Sequence, residues 1–158
     1  MTLMDAKQYD SSRDRKRRNI ILLAVISVII LGWVAYHFRH YPERHAADRF
    51  FTAVKAQKFE DAYAIWFNDP TWQQHAAKYS QYAYSDFYRD WGPGGEWGLV
   101  KDYSIDCSVS PGSTGVIVQV TVNHRMEHAY VWVQKSDHTL SFSPSEVDCG
   151  NWFGWLLE

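Results

Sequence analysis

His124-Arg125-Met126-Glu127-His128 is the stretch of this chain whose residue types most resemble a chemical site. Two histidines four apart, with a glutamate beside the second, can hold zinc and aim a general base when they share a helical face. Here the stretch interrupts residues alternating in polarity from Val116 to Val133. On a straight strand, positions i and i+4 lie about 13 Å apart, too far to share one ion. A hairpin could bring the two together, but only thirty residues follow to supply a third ligand. The expectation is therefore no metal, and a solvated strand end or turn. Asp86, Asp102, Asp106, His75 and His124 are acid–base candidates, because a carboxyl or imidazole inside an apolar cavity gains a shifted pKa. None has a spacing that demands the role, and surface positions are the expectation for each. Ser and Cys nucleophile motifs and Gly-rich phosphate loops are absent from the sequence. No catalytic residue and no cofactor is expected.

The elements that would carry these residues fall into two groups. Ala46, Ala47, Phe50, Phe51 and Val54 form one apolar stripe, and Phe59, Ala62, Tyr63, Trp66 and Phe67 form a second with helical spacing. Asp69-Pro70 predicts an N-cap and a first helical position. Trp72, Ala76, Tyr79, Ala83, Phe87 and Trp91 continue as one helix or two, with Ser80 and Ser85 as candidate caps, until Gly92-Pro93-Gly94-Gly95 ends the run. The period then changes to two. Strands are predicted at Tyr103–Val109, Val116–Val122, around Tyr130–Val133 and at Leu140–Phe142. Helices followed by a strand meander predict an α+β domain, with helices on one face of an antiparallel sheet. Trp66, Trp72 and Trp91 lie on apolar stripes, so core packing is expected ahead of an aromatic-lined pocket.

Charge and hydropathy place that domain. The 158 residues carry a net charge of −2, but the distribution is uneven. Residues 1–18 hold six basic and three acidic residues, whereas residues 39–158 hold ten and fifteen. An acidic domain repels phosphate backbones, so nucleic acid is not an expected partner. Between them lies NIILLAVISVIILGWVAYHF, from Asn19 to Phe38, without Asp, Glu, Lys or Arg. Twenty helical residues span about 30 Å, the thickness of a bilayer's hydrocarbon core. The run is too long for a signal peptide's apolar region and ends on bulky residues where cleavage needs small ones. It reads as a single-pass signal anchor in the cell (inner) membrane. Arg13, Arg15, Lys16, Arg17 and Arg18 precede it, so the positive-inside rule predicts a cytoplasmic N-terminus and an exported, periplasmic C-terminal domain. The divisions are a basic tail (1–18), a transmembrane helix (19–38) and an extracytoplasmic domain (39–158). The short link from Arg39 to His45 is expected to hold that domain near the bilayer.

The stretch AADRFFTAVKAQKFEDAYAIW, followed by a variable helical region and three or four long antiparallel strands, resembles the NTF2-like (cystatin-like) superfamily. That resemblance covers about residues 45–143. It implies helices folded against a curved sheet, forming a cone with an internal pocket. The superfamily includes isomerases, cyclases and dehydratases, and also domains without activity, so the likeness leaves function open. A short anchor before such a domain is also similar, in architecture, to the bitopic scaffold subunit of type IV secretion systems. The expectation is a non-catalytic binding domain, a structural or scaffold component that meets a protein partner or itself through an exposed sheet. The alternative is a small-molecule binder or an isomerase/dehydratase-like enzyme using the cone.

Two cysteines, Cys107 and Cys149, fall in the domain expected outside the cytoplasm, where oxidation is permitted. A disulfide between them is predicted, with Cys107 on the inward-facing set of its strand beside Ile105 and Val109. The chain finishes with Trp152, Phe153, Trp155, Leu156 and Leu157. Such a tail can seal a core, contact a membrane or partner, or cover a pocket. Core sealing is the first expectation.

Overall fold

The computed structural model describes residues 11–149, so the aromatic tail Trp152–Leu157 lies outside the described residues. The chain divides into two compact units, residues 1–39 and 40–158.

The described residues of the first unit hold one long helix, α1 (Ser11–Phe38). It begins eight residues before the apolar run, because Arg15 to Arg18 are good helix formers. It is apolar on every face, and Ile20, Leu23, Val28 and Leu31 are each about two-thirds exposed.

The second unit opens with α2 (Tyr41–Lys55) and α3 (Phe59–Trp66). Pro42 lies in the first turn of α2, where its missing N–H costs nothing. Only Arg39 and His40 separate the end of α1 from α2, a shorter link than the 39–45 juncture expected from sequence. A run of 3₁₀ turns follows (Trp72–Tyr82), broken at His75 and Tyr79, and then α4 (Tyr84–Trp91). Neither Ser80 nor Ser85 caps a helix; Ala83 stands before α4. Asp69 does not cap a helix either. Its Oδ1 accepts from the Thr71 N–H and hydroxyl, closing a turn that ends at Thr71, one residue before the 3₁₀ run begins.

Four strands, β1 (Tyr103–Val109), β2 (Gly115–Val122), β3 (His128–Gln134) and β4 (Leu140–Phe142), form an antiparallel open sheet in chain order. The architecture is α+β. Period-two alternation gives the sheet two unlike faces. Val116, Val118, Val120 and Val122 of β2, with Ala129, Val131 and Val133 of β3, are buried beneath the helices. Between the layers sits an aromatic cluster centred on Phe50. Its ring lies 4.9 Å from Trp91, 5.2 Å from Trp66 and 6.1 Å from Phe87, mostly edge to face. Such pairs add about 0.5–1.5 kcal/mol each beyond burial. Trp72 packs on Tyr63 and Tyr84 at the margin of this core. The abundant aromatics between helices and sheet are packing.

One feature of β1 alters the expected facing. The register runs Ile105↔Val120 and then Cys107↔Gln119, leaving Asp106 as a bulge. The extra residue reverses the alternation. Tyr103 and Ile105 still face the helices, but Cys107 and Val109 pair with Gln119 and Ile117 and share their opposite face. The inward position expected for Cys107 is therefore wrong.

Candidate functional site

The chemistry-bearing residues gather at the end of the sheet where β1 starts, β2 ends and β3 starts. The β2–β3 turn is made by Asn123 and His124, both with positive φ (52° and 57°), and the Arg125 N–H donates to the Val122 carbonyl at 3.0 Å. Two left-handed residues match the twist of a tight hairpin, and asparagine tolerates that conformation well. Asn123 is also a clasp. Its Oδ1 accepts from the Lys101 and Asp102 amides at 2.7 and 3.3 Å, and its Nδ2 donates to the Leu99 and Trp97 carbonyls at 3.0 and 3.3 Å. Arg125 Nη1 donates to the Glu96 carbonyl at 2.8 Å. The loop between α4 and β1 is thereby tied to the hairpin, and an open groove of about 590 Å³ lies between them, edged by Leu99, Lys101, His124 and Arg125.

The turn divides the two histidines of the metal-like stretch. His124 Nε2 lies 3.5 Å from Asp102 Oδ2, whereas His128 Nδ1 lies 3.3 Å from Asp106 Oδ2 on the sheet face away from the helices. Each therefore serves its own carboxylate. Among the described residues, no group of three His, Cys, Asp or Glu side chains could hold a metal ion.

The bulge turns Asp106 toward Thr121, whose hydroxyl donates to Oδ2 at 2.8 Å and lies 3.0 Å from His128 Nδ1. Gln119 Nε2 approaches the same carboxylate at 3.4 Å, while its buried Oε1 has no partner. Thr121 and Asp106 meet the same imidazole nitrogen, so this is not a relay in which a hydroxyl and a carboxylate occupy opposite ends of the ring. Of the acid–base candidates, Asp102 joins His124 and Asp106 joins His128. Asp86 is paired to Arg89 on α4, and His75 to Asp69.

Asp69, a cap candidate by sequence, is a hydrogen-bond hub. The Tyr79 hydroxyl (2.7 Å), the Thr71 hydroxyl and the Thr71 N–H all donate to it, holding its carboxyl well below the usual range.

After β4 the chain crosses the outer sheet face. Ser143 N–H donates to the Tyr130 carbonyl at 3.3 Å, and Cys149 is bonded to Cys107, with Cα atoms 5.8 Å apart. The predicted disulfide is therefore present, on the face opposite the one expected. Burial, with Glu146 and Asp148 of this crossing and Asp106 nearby, pushes the Tyr130 hydroxyl up. A second open groove, about 420 Å³, lies between the crossing and the α4–β1 loop. Trp97, His128, Tyr130, Phe142 and Glu146 line it.

Thr121 and Tyr130 carry no signal as site residues in the linear sequence, and His128 is marked there only as a metal-like histidine; the strand register brings the three together. No family model, curated protein or solved structure matches this chain.

Proposed function

We propose that this chain is a single-pass, membrane-anchored binding domain, exported from the cytoplasm and acting through a protein partner or a second copy of itself. The observation that carries the reading is the bare apolar surface of α1. About 1.5–3 kcal/mol is gained per large apolar side chain removed from water, and α1 leaves its large apolar side chains exposed. A bilayer supplies the missing cover across Asn19–Phe38. Arg15, Lys16, Arg17 and Arg18 then favour an N-terminus held in the cytoplasm. The Cys107–Cys149 bond supports an oxidising location for the folded unit.

Within this proposal the folded unit is an NTF2-like domain, a reading supported by α2, α3 and α4 lying against one face of the β1–β4 meander. A binding role is favoured over a pocket-based isomerase or dehydratase because Phe50, Phe51, Trp66, Phe87 and Trp91 occupy the space between helices and sheet. Anchoring confines the domain to two dimensions, where modest contacts gain effective concentration.

Crosslinking in native membranes, followed by purification of the full chain, tests the binding role. A reproducible protein adduct is expected, and only unlinked chain would overturn it. A reporter active only outside the cytoplasm, fused after Glu158, tests the topology. It should be active there and silent when fused before Met1.

A further inference from the structure

The sheet leaves one side of β3, at its start, without a neighbouring strand among the described residues. β4 pairs with β3 only from Val131 to Val133, whereas β3 begins at His128. Beyond Phe142 the chain turns away at Ser143-Pro144, and proline cannot extend a ladder. Lys135 N–H donates toward β2, to Thr114, and Gln134 N–H donates toward β4, to Thr139. Alternation therefore aims the backbone groups of Tyr130 and His128 at the vacated side. Among the described residues, the Ser143 N–H on the Tyr130 carbonyl is the one backbone bond recorded there. Among the described residues, Ser143 stands opposite Tyr130, and neither backbone group of His128 has a recorded partner on that side.

This edge forms one side of the 420 Å³ groove. His128 and Ala129, at about 3.3 Å each, offer roughly 7 Å of edge beyond the place that Ser143 takes. The groove's apolar walls are Trp97 and Phe142, and its charged rim is acidic. Glu96 and Glu146 line it, both exposed, and Asp106 and Asp148 lie close enough to act on the Tyr130 hydroxyl. Of the basic side chains nearby, Arg125 is held by the Glu96 carbonyl and His128 lies against Asp106. An unsatisfied strand edge beside apolar walls and carboxylates matches an extended segment with alternating apolar and basic side chains.

We propose that the free end of β3, at His128, receives a basic, extended segment of a partner protein, added antiparallel to β3 along the line that β4 vacates. The partner's backbone bonds to His128, its apolar side chains meet Trp97 and Phe142, and its lysines or arginines meet Glu96 and Glu146. The inference deepens the binding role proposed above and rests on it.

The test uses the full chain in detergent micelles or nanodiscs and a capped hexapeptide of alternating valine and lysine. Binding is followed through the backbone amide signal of His128. That signal should shift. The valine–glutamate peptide should bind at least about tenfold more weakly, because its charges oppose the rim. Backbone N-methylation on the bonding edge of the peptide should abolish binding. Glu146→Lys, at an exposed position, should weaken the lysine peptide about tenfold and leave the melting temperature unchanged. Absence of any shift at millimolar peptide would overturn the proposal, as would equal binding of the lysine and glutamate peptides or full binding of the N-methylated one. A protein adduct in native membranes that persists undiminished with Glu146→Lys would sink this surface and leave the wider binding role standing. Failure to find any adduct, while the peptide binds as described, would do the reverse.

Discussion

The indole of Trp132 lies against Gly115, its diagonal neighbour across β2 and β3, in the volume a side chain at Gly115 would need. The ring is held there by its Nε1–H, which donates to Gln134 Oε1 at 3.1 Å. Gly115→Ala should therefore force the indole aside and cost about 1–3 kcal/mol, the usual penalty of overpacking. Thermal or urea unfolding of the single variant measures it. With Trp132→Ala in the background, the same substitution should cost less. Equal cost in both backgrounds would show that the contact does not carry the effect.

The disulfide closes a loop whose ends are 42 residues apart. By chain entropy such a closure contributes up to about 4 kcal/mol. Cys107→Ser with Cys149→Ser should lower the unfolding free energy by a substantial part of that. The oxidised protein should show no thiol accessible to alkylation after denaturation without reductant. Two alkylated cysteines under those conditions would contradict the bond.

Asn123 combines a left-handed backbone with four side-chain hydrogen bonds to the α4–β1 loop. Asn123→Ala removes all four and adds strain at φ 52°, so a loss of about 2–4 kcal/mol is expected. Asn123→Gly relieves only the strain and should be milder, by about 1 kcal/mol. If glycine proves as damaging as alanine, the hydrogen bonds alone dominate. Amide hydrogen exchange at Lys101 and Asp102 should accelerate in both variants.

Asp69 has a folded pKa depressed below its unfolded value, mainly by the Tyr79 hydroxyl and then by Thr71. A depressed carboxyl contributes stability that is present above its unfolded pKa, about 4, and is lost as pH falls through the folded value. Melting temperature should therefore drop as pH goes below about 4. Tyr79→Phe should flatten that drop by raising the folded pKa, and should cost stability at pH 7. An unchanged acid profile in Tyr79→Phe would show that the hydroxyl does not set it.

Much of this architecture was legible in the residue pattern. β1 runs from Tyr103 to Val109 as alternation predicts, and Gly92 ends α4 as a glycine cluster should. The facing of Cys107 was not legible. Alternation assumes one residue per step, and the Asp106 bulge is visible only once β2 supplies a register. The 3₁₀ turns from Trp72 to Tyr82 escaped for a related reason. Their aromatic spacing suits an α-helix, but Asp69 closes a local turn, and His75 and Tyr79 leave helical geometry. Of the candidate site, His124 and Asp102 were legible as residue types but not as a pair. Their meeting depends on the Asn123 clasp, which joins residues more than twenty positions apart.

The crowding around Phe50 also has an optical consequence. The ring centroids of Trp66 and Trp91 are 5.7 Å apart and their planes are tilted by 55°. Indole transition dipoles at that separation and inclination couple, so the chain should show an exciton couplet superposed on its peptide circular dichroism. Helical content taken from ellipticity alone would then be biased by two side chains. The couplet itself would report the mutual orientation of α3 and α4, since Trp66 ends one and Trp91 ends the other. It would vanish in any state that keeps its helices but loosens their packing, separating loss of side-chain order from loss of backbone order in one spectrum.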